Sequence, residues 1–149
     1  MQKIRLSILL TASLLATGVS SAIGPSGGLS VVNARMPLPP AGSDVGAVYL
    51  TLRNEGVEPK TIVGVESAWA RSAMLHESAV DHGTARMRPI ERLTIPAGRT
   101  IVLAPGALHI MLVGLKNDLR LGQEVPLALL LEGGQKLDVM ASVRPIGSQ

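Results

Sequence analysis

The residues that decide the fold are LALLLEGGQKLDVMASV, at positions 127–143. Apolar side chains recur there at every second position: Leu127, Leu129, Leu131, Leu137, Val139, Ala141 and Val143. Successive side chains of a β-strand point to opposite faces, so this period of two predicts two strands that each bury one face. The residues between them, 132–135, contain two adjacent glycines and are typical of a hairpin turn. The segment therefore predicts an antiparallel hairpin packed on a hydrophobic core.

The same alternation extends through most of the chain. Val48, Leu50 and Leu52 share one face of another predicted strand. Further strands are predicted at 30–35, 60–66, 85–90, 99–103 and 107–113, with turn-forming residues between them. Residues 70–80 fit either a strand or a helix. Many short strands at this spacing favour an all-β chain folded as an antiparallel sandwich or barrel.

The first 22 residues differ in character from the rest of the chain. Lys3 and Arg5 precede an uncharged, mostly apolar run at 6–19, and small residues follow at 20–22. A basic start, a short apolar run and a small-residue cleavage site are the three parts of a secretory signal peptide, and this run is too short to span a bilayer. We predict a signal peptide at 1–22 and a mature domain at 23–149, exported to the periplasm and not held in the membrane after cleavage.

Composition excludes several classes of function. The 149 residues include no cysteine, which excludes disulfide scaffolds, thiol catalysis, iron–sulfur clusters and blue-copper centres. Aromatic residues make up 1% of the chain, whereas proteins that read single-stranded nucleic acid stack bases on aromatic rings. The net charge of +3 falls to +1 without Lys3 and Arg5, so the mature chain has no basic excess that would attract nucleic acid. We therefore expect no nucleic-acid partner.

Two histidines and two methionines are the strongest candidates for chemistry. His109 and Met111 are two residues apart and share a face if their segment is a strand. A tight turn at 81–84 would bring Met87 to the same face as His76, as its diagonal neighbour on the next strand. The four side chains can therefore converge from three strands. We expect them at one edge of the domain, on a rim outside the aliphatic core.

The donor atoms of these four side chains are selective for copper. Thioether sulfur is soft and uncharged, so it binds Cu(I) well and attracts zinc, calcium or magnesium poorly. Imidazole binds copper in both oxidation states. Two imidazoles and two thioethers therefore predict a Cu(I) site, and such neutral ligands suit the transfer of an ion better than catalysis. No catalytic residue and no site for an organic cofactor are predicted.

The arrangement His76-x10-Met87-x21-His109-x-Met111 resembles the signature of the periplasmic copper chaperones of the PCuAC family, spacing included. Four surrounding stretches resemble the same family: AVYLTLRN at 47–54, MLHE at 74–77, RMRP at 86–89 and PGALHIM at 105–111. The resemblance covers about residues 30–144, which is nearly the whole predicted mature chain.

The resemblance implies a cupredoxin-like domain, a Greek-key β-sandwich or barrel that holds Cu(I) through His76, Met87, His109 and Met111. It also implies a role in copper homeostasis, in which the copper ion passes to a recipient such as the CuA centre in subunit II of cytochrome c oxidase or another assembly factor. Many family members carry a Met- and His-rich C-terminal tail, but residues 144–149, RPIGSQ, contain neither residue. This departure argues against a second, Cu(II)-binding site in a tail.

The sequence leaves two residues and two other functions as alternatives. Met74, two residues before His76, either packs in the core or rim or contributes to the site. His82 either is a solvated turn residue or assists copper binding. We expect the protein not to be an enzyme, because three histidines are too few for the imidazole-rich sites of copper redox catalysts. The alternatives are a copper-free exported β-sandwich that serves as a structural or interaction module and, less favoured, a copper redox enzyme.

Overall fold

The computed structural model describes residues 27–116 and 118–148 and contains ten β-strands in that part of the chain. They are β1 (Leu29–Pro37), β2 (Val45–Asn54), β3 (Lys60–Glu66), β4 (Ser72–Asp81), β5 (Thr84–Ile90), β6 (Leu93–Ile95), β7 (Thr100–Leu103), β8 (Leu108–Val113), β9 (Glu124–Leu131) and β10 (Lys136–Arg144). The described residues include no helix that is long and apolar enough to cross a membrane. Most of segment 70–80, which fitted either a strand or a helix, is strand β4. The signal peptide predicted at 1–22 lies outside the described residues.

The strands form one connected sheet in the order β5-β4-β8-β2-β1-β10-β9-β3-β6. Strand β7 pairs with the second half of β2, and β8 pairs with its first half. Neighbouring strands are antiparallel, except that β1 and β10 run parallel, from the pair Arg35 and Ser142 to the pair Pro37 and Arg144. The predicted all-β architecture is confirmed, and the parallel pair is its one departure from an antiparallel pattern in the described chain.

The hairpin predicted from residues 127–143 is formed by β9 and β10. Its register pairs Leu129 with Leu137 and Leu127 with Val139, so the alternating apolar residues of both strands share one face. Gly133 and Gly134 have φ angles of 89° and 86°. Residues with a Cβ atom rarely adopt such φ angles, so the turn between these strands requires glycine at both positions.

The core is aliphatic, as the shortage of aromatic residues demands. The residues predicted to form it are all buried: Val48, Leu50, Leu52, Leu127, Leu129, Leu131, Val139 and Val143. Met36 is also fully buried and fills core space. Asn54 is a buried polar residue whose amide donates to the carbonyl oxygens of Glu58 at 2.8 Å and Ile95 at 3.0 Å. Because those bonds satisfy its amide, the burial of Asn54 costs little free energy, and the bonds stabilise the connection after β2.

The part of the fold that positions the candidate site is the strand triplet β5-β4-β8. Strands β4 and β5 form a hairpin whose turn residues, His82 and Gly83, have φ angles of 47° and 79°. Two successive positive φ angles are typical of the tight two-residue turn that fits the twist of a hairpin. The turn sets the register so that Ser78 lies opposite Met87, which confirms the tight turn predicted at 81–84.

We expect Leu129→Ala to lower the free energy of unfolding by about 2–5 kcal/mol, because it leaves a cavity at a fully buried position of β9. Leu121→Ala is the matched control, since that leucine is exposed, and its effect should stay within about 0.5 kcal/mol. Urea unfolding followed by circular dichroism measures both. A similar small loss in the two variants would contradict the assignment of Leu129 to the core.

Candidate metal centre

His76 and His109 lie directly opposite each other on neighbouring strands. The register between β4 and β8 makes the two histidines partners, and their ring centroids are 5.9 Å apart with 20° between the ring planes. Two imidazoles bound to one metal ion through bonds of about 2 Å hold their ring centres roughly 5–6 Å apart. The two strands therefore bring both rings within reach of a single ion.

Both histidines are buried, with 9% of His76 and 5% of His109 exposed. The expectation that they lie on a rim is therefore wrong. The pair lies away from the sheet edge, since β5 lies beyond β4 and β2 lies beyond β8. The two rings also face each other with 5.9 Å between their centroids, so each shields the facing side of the other from solvent. Replacing either ring changes a packed environment, not an open rim.

The ring of His109 is held in one orientation by the backbone. Its Nδ1 atom lies 3.0 Å from the carbonyl oxygen of Ala107, and that oxygen also accepts a hydrogen bond from the backbone nitrogen of Ser78 at 3.1 Å. A carbonyl oxygen only accepts, so Nδ1 of His109 donates, and Nε2 of the neutral ring keeps its lone pair. Histidines that bind metals are commonly oriented by such a bond from their second nitrogen.

The ring of His76 lacks this kind of partner. Among the described residues, its Nδ1 is the one buried side-chain nitrogen or oxygen atom without a hydrogen bond. An unpaired buried polar atom costs about 1–3 kcal/mol, so most such atoms in folded proteins have a partner. A metal ion bound to this ring would supply one. The unpaired nitrogen therefore fits a metal ligand better than a purely structural histidine.

Met111 lies on the same face as the two histidines. It is two residues after His109 on β8, and its neighbours Ile110 and Leu112 point the other way and are fully buried in the core. Met111 itself is half-buried and lies opposite Met74 of β4. The face therefore carries a thioether pair directly beside the histidine pair.

Met87 reaches the same face from β5. Its strand partner Ser78 is two residues after His76, which makes Met87 the diagonal neighbour of His76, and 56% of Met87 is exposed. Of the four predicted ligands it is the most exposed. We call the surface made by Met74, His76, Met87, His109 and Met111 the His–Met face.

Other candidate ligands lie elsewhere. In the described parts of the chain, no group of three or more His, Cys, Asp or Glu side chains is placed to hold a metal ion. Glu77 lies on the face opposite His76, where the guanidinium Nε of Arg88 donates to its carboxylate at 2.8 Å. His82 is exposed at the hairpin turn, roughly 20 Å along the strand from His76. A metal ion on the His–Met face would thus meet only imidazole and thioether side chains as strong ligands.

The position of Met74 is the feature of this face that sequence reasoning did not establish. Its spacing of two from His76 indicated a shared face, but its pairing with Met111 depends on how two distant segments align. Met74 is 38% exposed, so it does not fill the core as Met36 does.

The chain matches a family model and a curated relative. The model, described as "Putative lipoprotein LpqE-like", matches residues 29–143. The relative, described as "Putative lipoprotein Lxx21020" from Leifsonia xyli subsp. xyli, is 37% identical over 105 residues. These residues are 70% of this chain and 63% of that relative, so the chain spans less than two thirds of the relative's length.

Several solved structures have the same fold as this chain. The solution structure of apo-DR1885 from Deinococcus radiodurans is 29% identical, with a TM-score of 0.65, and the match covers 99% of this chain and 100% of that one. The structure of CuI-DR1885 is 30% identical, with a TM-score of 0.63 and coverages of 89% and 85%. The copper-bound PCuAC domain from PmoF2, at 21% identity, a TM-score of 0.67 and coverages of 80% and 94%, shares the fold. The cupredoxin-like sandwich expected from the sequence is confirmed.

We expect His76→Leu to leave the metal-free protein as stable as before, or more stable by up to about 1 kcal/mol, because it removes an unpaired buried nitrogen. His109→Leu should instead lower the free energy of unfolding by about 1 kcal/mol, since it removes the bond to Ala107. Urea unfolding in the presence of a chelator measures both. An equal loss of unfolding free energy in the two variants would contradict the difference in hydrogen bonding between the two rings.

Proposed function

This chain belongs to the LpqE-like family and folds as PCuAC domains do, and on that basis we propose that it is a copper carrier. It binds one Cu(I) through His76, Met87, His109 and Met111 and passes the ion to a recipient protein. The observation that carries the proposal is the pairing of two buried histidines on the face that also holds the methionines. The binding of Cu(I) by DR1885, a protein of the same fold at 30% identity, supports it.

The donor set supports Cu(I) in preference to other ions. Zinc favours thiolate and carboxylate ligands in addition to imidazole, whereas calcium and magnesium favour carboxylate and carbonyl oxygens. The His–Met face offers no carboxylate among its five side chains, and the chain has no cysteine. Neutral imidazole and thioether groups leave the bound ion with its own single charge, and their softness matches the reduced state of copper.

The chain is a binding domain and not an enzyme. A copper redox catalyst must cycle between Cu(I) and Cu(II), whereas thioether ligands favour the reduced ion and oppose that cycle. Transfer requires only that a recipient's ligand reach the ion while the carrier still holds it. The exposure of Met87 supports such access, because an exposed ligand can be replaced without opening the core.

The recipient we propose is a copper site outside the cytoplasm, either the CuA centre in subunit II of cytochrome c oxidase or another assembly factor. Delivery there requires export to the periplasm. Residues 1–22 have the three parts of a secretory signal peptide, which supports export. The description of the relative from Leifsonia xyli as a lipoprotein also agrees with export of this family.

We expect the purified protein to bind one equivalent of Cu(I) in an anaerobic titration against a chromophoric Cu(I) chelator, with Zn(II) unable to displace the copper. The double replacement Met87→Leu with Met111→Leu should lower the Cu(I) affinity at least about 100-fold, because even the groups that only orient metal ligands contribute 10–100-fold.

Met140→Leu is the control for this titration, since Met140 lies on β10 and is 55% exposed, much like Met87. Its Cu(I) affinity should equal that of the unaltered protein. Unchanged affinity in the double variant, or displacement of copper by an equal concentration of Zn(II), would rule out the proposed ligand set.

In cells grown at low copper, loss of the protein should reduce cytochrome c oxidase activity, and added copper should restore it. A copy carrying Met87→Leu with Met111→Leu should accumulate normally and fail to restore the activity, whereas the Met140→Leu copy should restore it. The measurements are oxidase activity and the amount of each variant in the periplasm. Full restoration by the double variant would mean that the cell does not use this site for delivery.

A further inference from the structure

Met74 lies on the His–Met face directly beside two of the four proposed ligands, His76 and Met111. It is two residues before His76 on β4, so the two side chains point to the same face. It is also the direct partner of Met111 on β8. Side chains directly opposite each other on antiparallel strands have Cβ atoms about 5 Å apart. Met74, His76, His109 and Met111 therefore occupy four adjacent positions, with the two sulfur donors paired and the two rings paired.

Packing does not explain why a methionine stands at this position. The next residue, Leu75, is buried in the core and pairs with the fully buried Ile110, so Met74 necessarily points away from the core. With 38% of its surface exposed, it contrasts with Met36, which is completely enclosed. A long apolar side chain gains little there from burial, but residue 74 lies opposite Met111 and two residues from His76 on the same face.

Met74 and Met87 flank the histidine pair on opposite sides. Met87 pairs with Ser78, and Ser78 is two residues after His76 on β4. Met74 is two residues before His76 on the same strand. Two residues of a strand span about 6.6 Å, so the strand positions of the two methionines lie on opposite sides of His76 along the direction of β4. By this register Met74, and not Met87, is the methionine nearer to Met111.

We propose that Met74 is a further copper ligand, which alternates with Met87 while His76, His109 and Met111 stay bound to the ion. This inference rests on the proposed function, because it concerns how the same face binds Cu(I). The exchange replaces one neutral thioether by another, so the charge of the site does not change and only one bond is broken at a time. Copper can then shift along the face toward whichever side a recipient approaches.

The test measures Cu(I) affinity by anaerobic competition with a chromophoric chelator in four proteins: Met74→Leu, Met87→Leu, their combination, and Met140→Leu as the exposed control on β10. Each single replacement at the face should lower the affinity by about 3- to 10-fold, since the other methionine takes over. The combination should lower it by more than the product of the two single effects, because residues that serve one site are not independent.

X-ray absorption at the copper edge supplies a second readout. The number of sulfur neighbours should stay the same in Met87→Leu as in the unaltered protein, and it should fall by one in the combined variant. Thermal unfolding of the metal-free variants checks that the exposed position 74 tolerates leucine without loss of the fold.

The outcomes separate the two proposals. If the unaltered protein binds no Cu(I), the proposed function fails and this inference fails with it. If it binds Cu(I) but Met74→Leu matches Met140→Leu in affinity, both alone and in the Met87→Leu background, only the role of Met74 is overturned. Simple multiplication of the two single effects also overturns the alternation, because two permanent ligands that act separately would behave in that way.

Discussion

The register between β4 and β8 is the constraint on which the candidate site depends. Leu75 and Ile110 are partners in this register, and both are buried in the core on one side of the sheet. A slip of one residue would turn each of them outward, so burial of the pair holds the two strands in place. On the other side of the sheet the same register pairs His76 with His109. Hydrophobic packing therefore positions donor atoms that do not belong to the core.

The two histidines differ in how the fold supports them. His109 donates to the carbonyl oxygen of Ala107, so its orientation is set before any metal arrives. His76 is equally enclosed but leaves Nδ1 without a partner. Because the ring of His109 is already oriented, binding a metal ion to it would cost less conformational entropy. The unpaired nitrogen of His76 would gain a partner from the ion, which would offset the free-energy cost of its burial. Both features fit the proposed metal site.

In the proposed site, the methionines add selectivity for Cu(I) and access for a recipient at the surface of this buried pair. Met111 is half-buried beside the rings, while Met74 and Met87 are more exposed on either side of His76. The donors thus become more accessible from the centre of the face to its periphery. A carrier needs such a gradient, because the ion must be held firmly enough to travel and must still be reachable by the ligands of a recipient. Met87 lies on β5, where nearly every residue is exposed, so it is the most accessible of the four proposed ligands.

The sequence by itself determined the local features of this protein. Alternating apolar residues predicted the strands and the aliphatic core, and the glycines at 133 and 134 predicted the turn between β9 and β10. The short segment between β4 and β5 predicted the register that places Met87 beside His76, because a tight turn leaves little freedom in pairing. The four proposed ligands could be chosen because their donor chemistry and spacing are both visible in the linear chain.

Only the tertiary structure decided which distant strands are neighbours. The parallel pairing of β1 with β10, and the position of β4 between β5 and β8, follow from packing the whole sheet and leave no local periodic signal. The burial of His76 and His109 was not predicted either, since it depends on the two rings facing each other across two distant strands. The pairing of Met74 with Met111 has the same origin: a period of two assigns a side chain to a face, but only the long-range register gives it a partner.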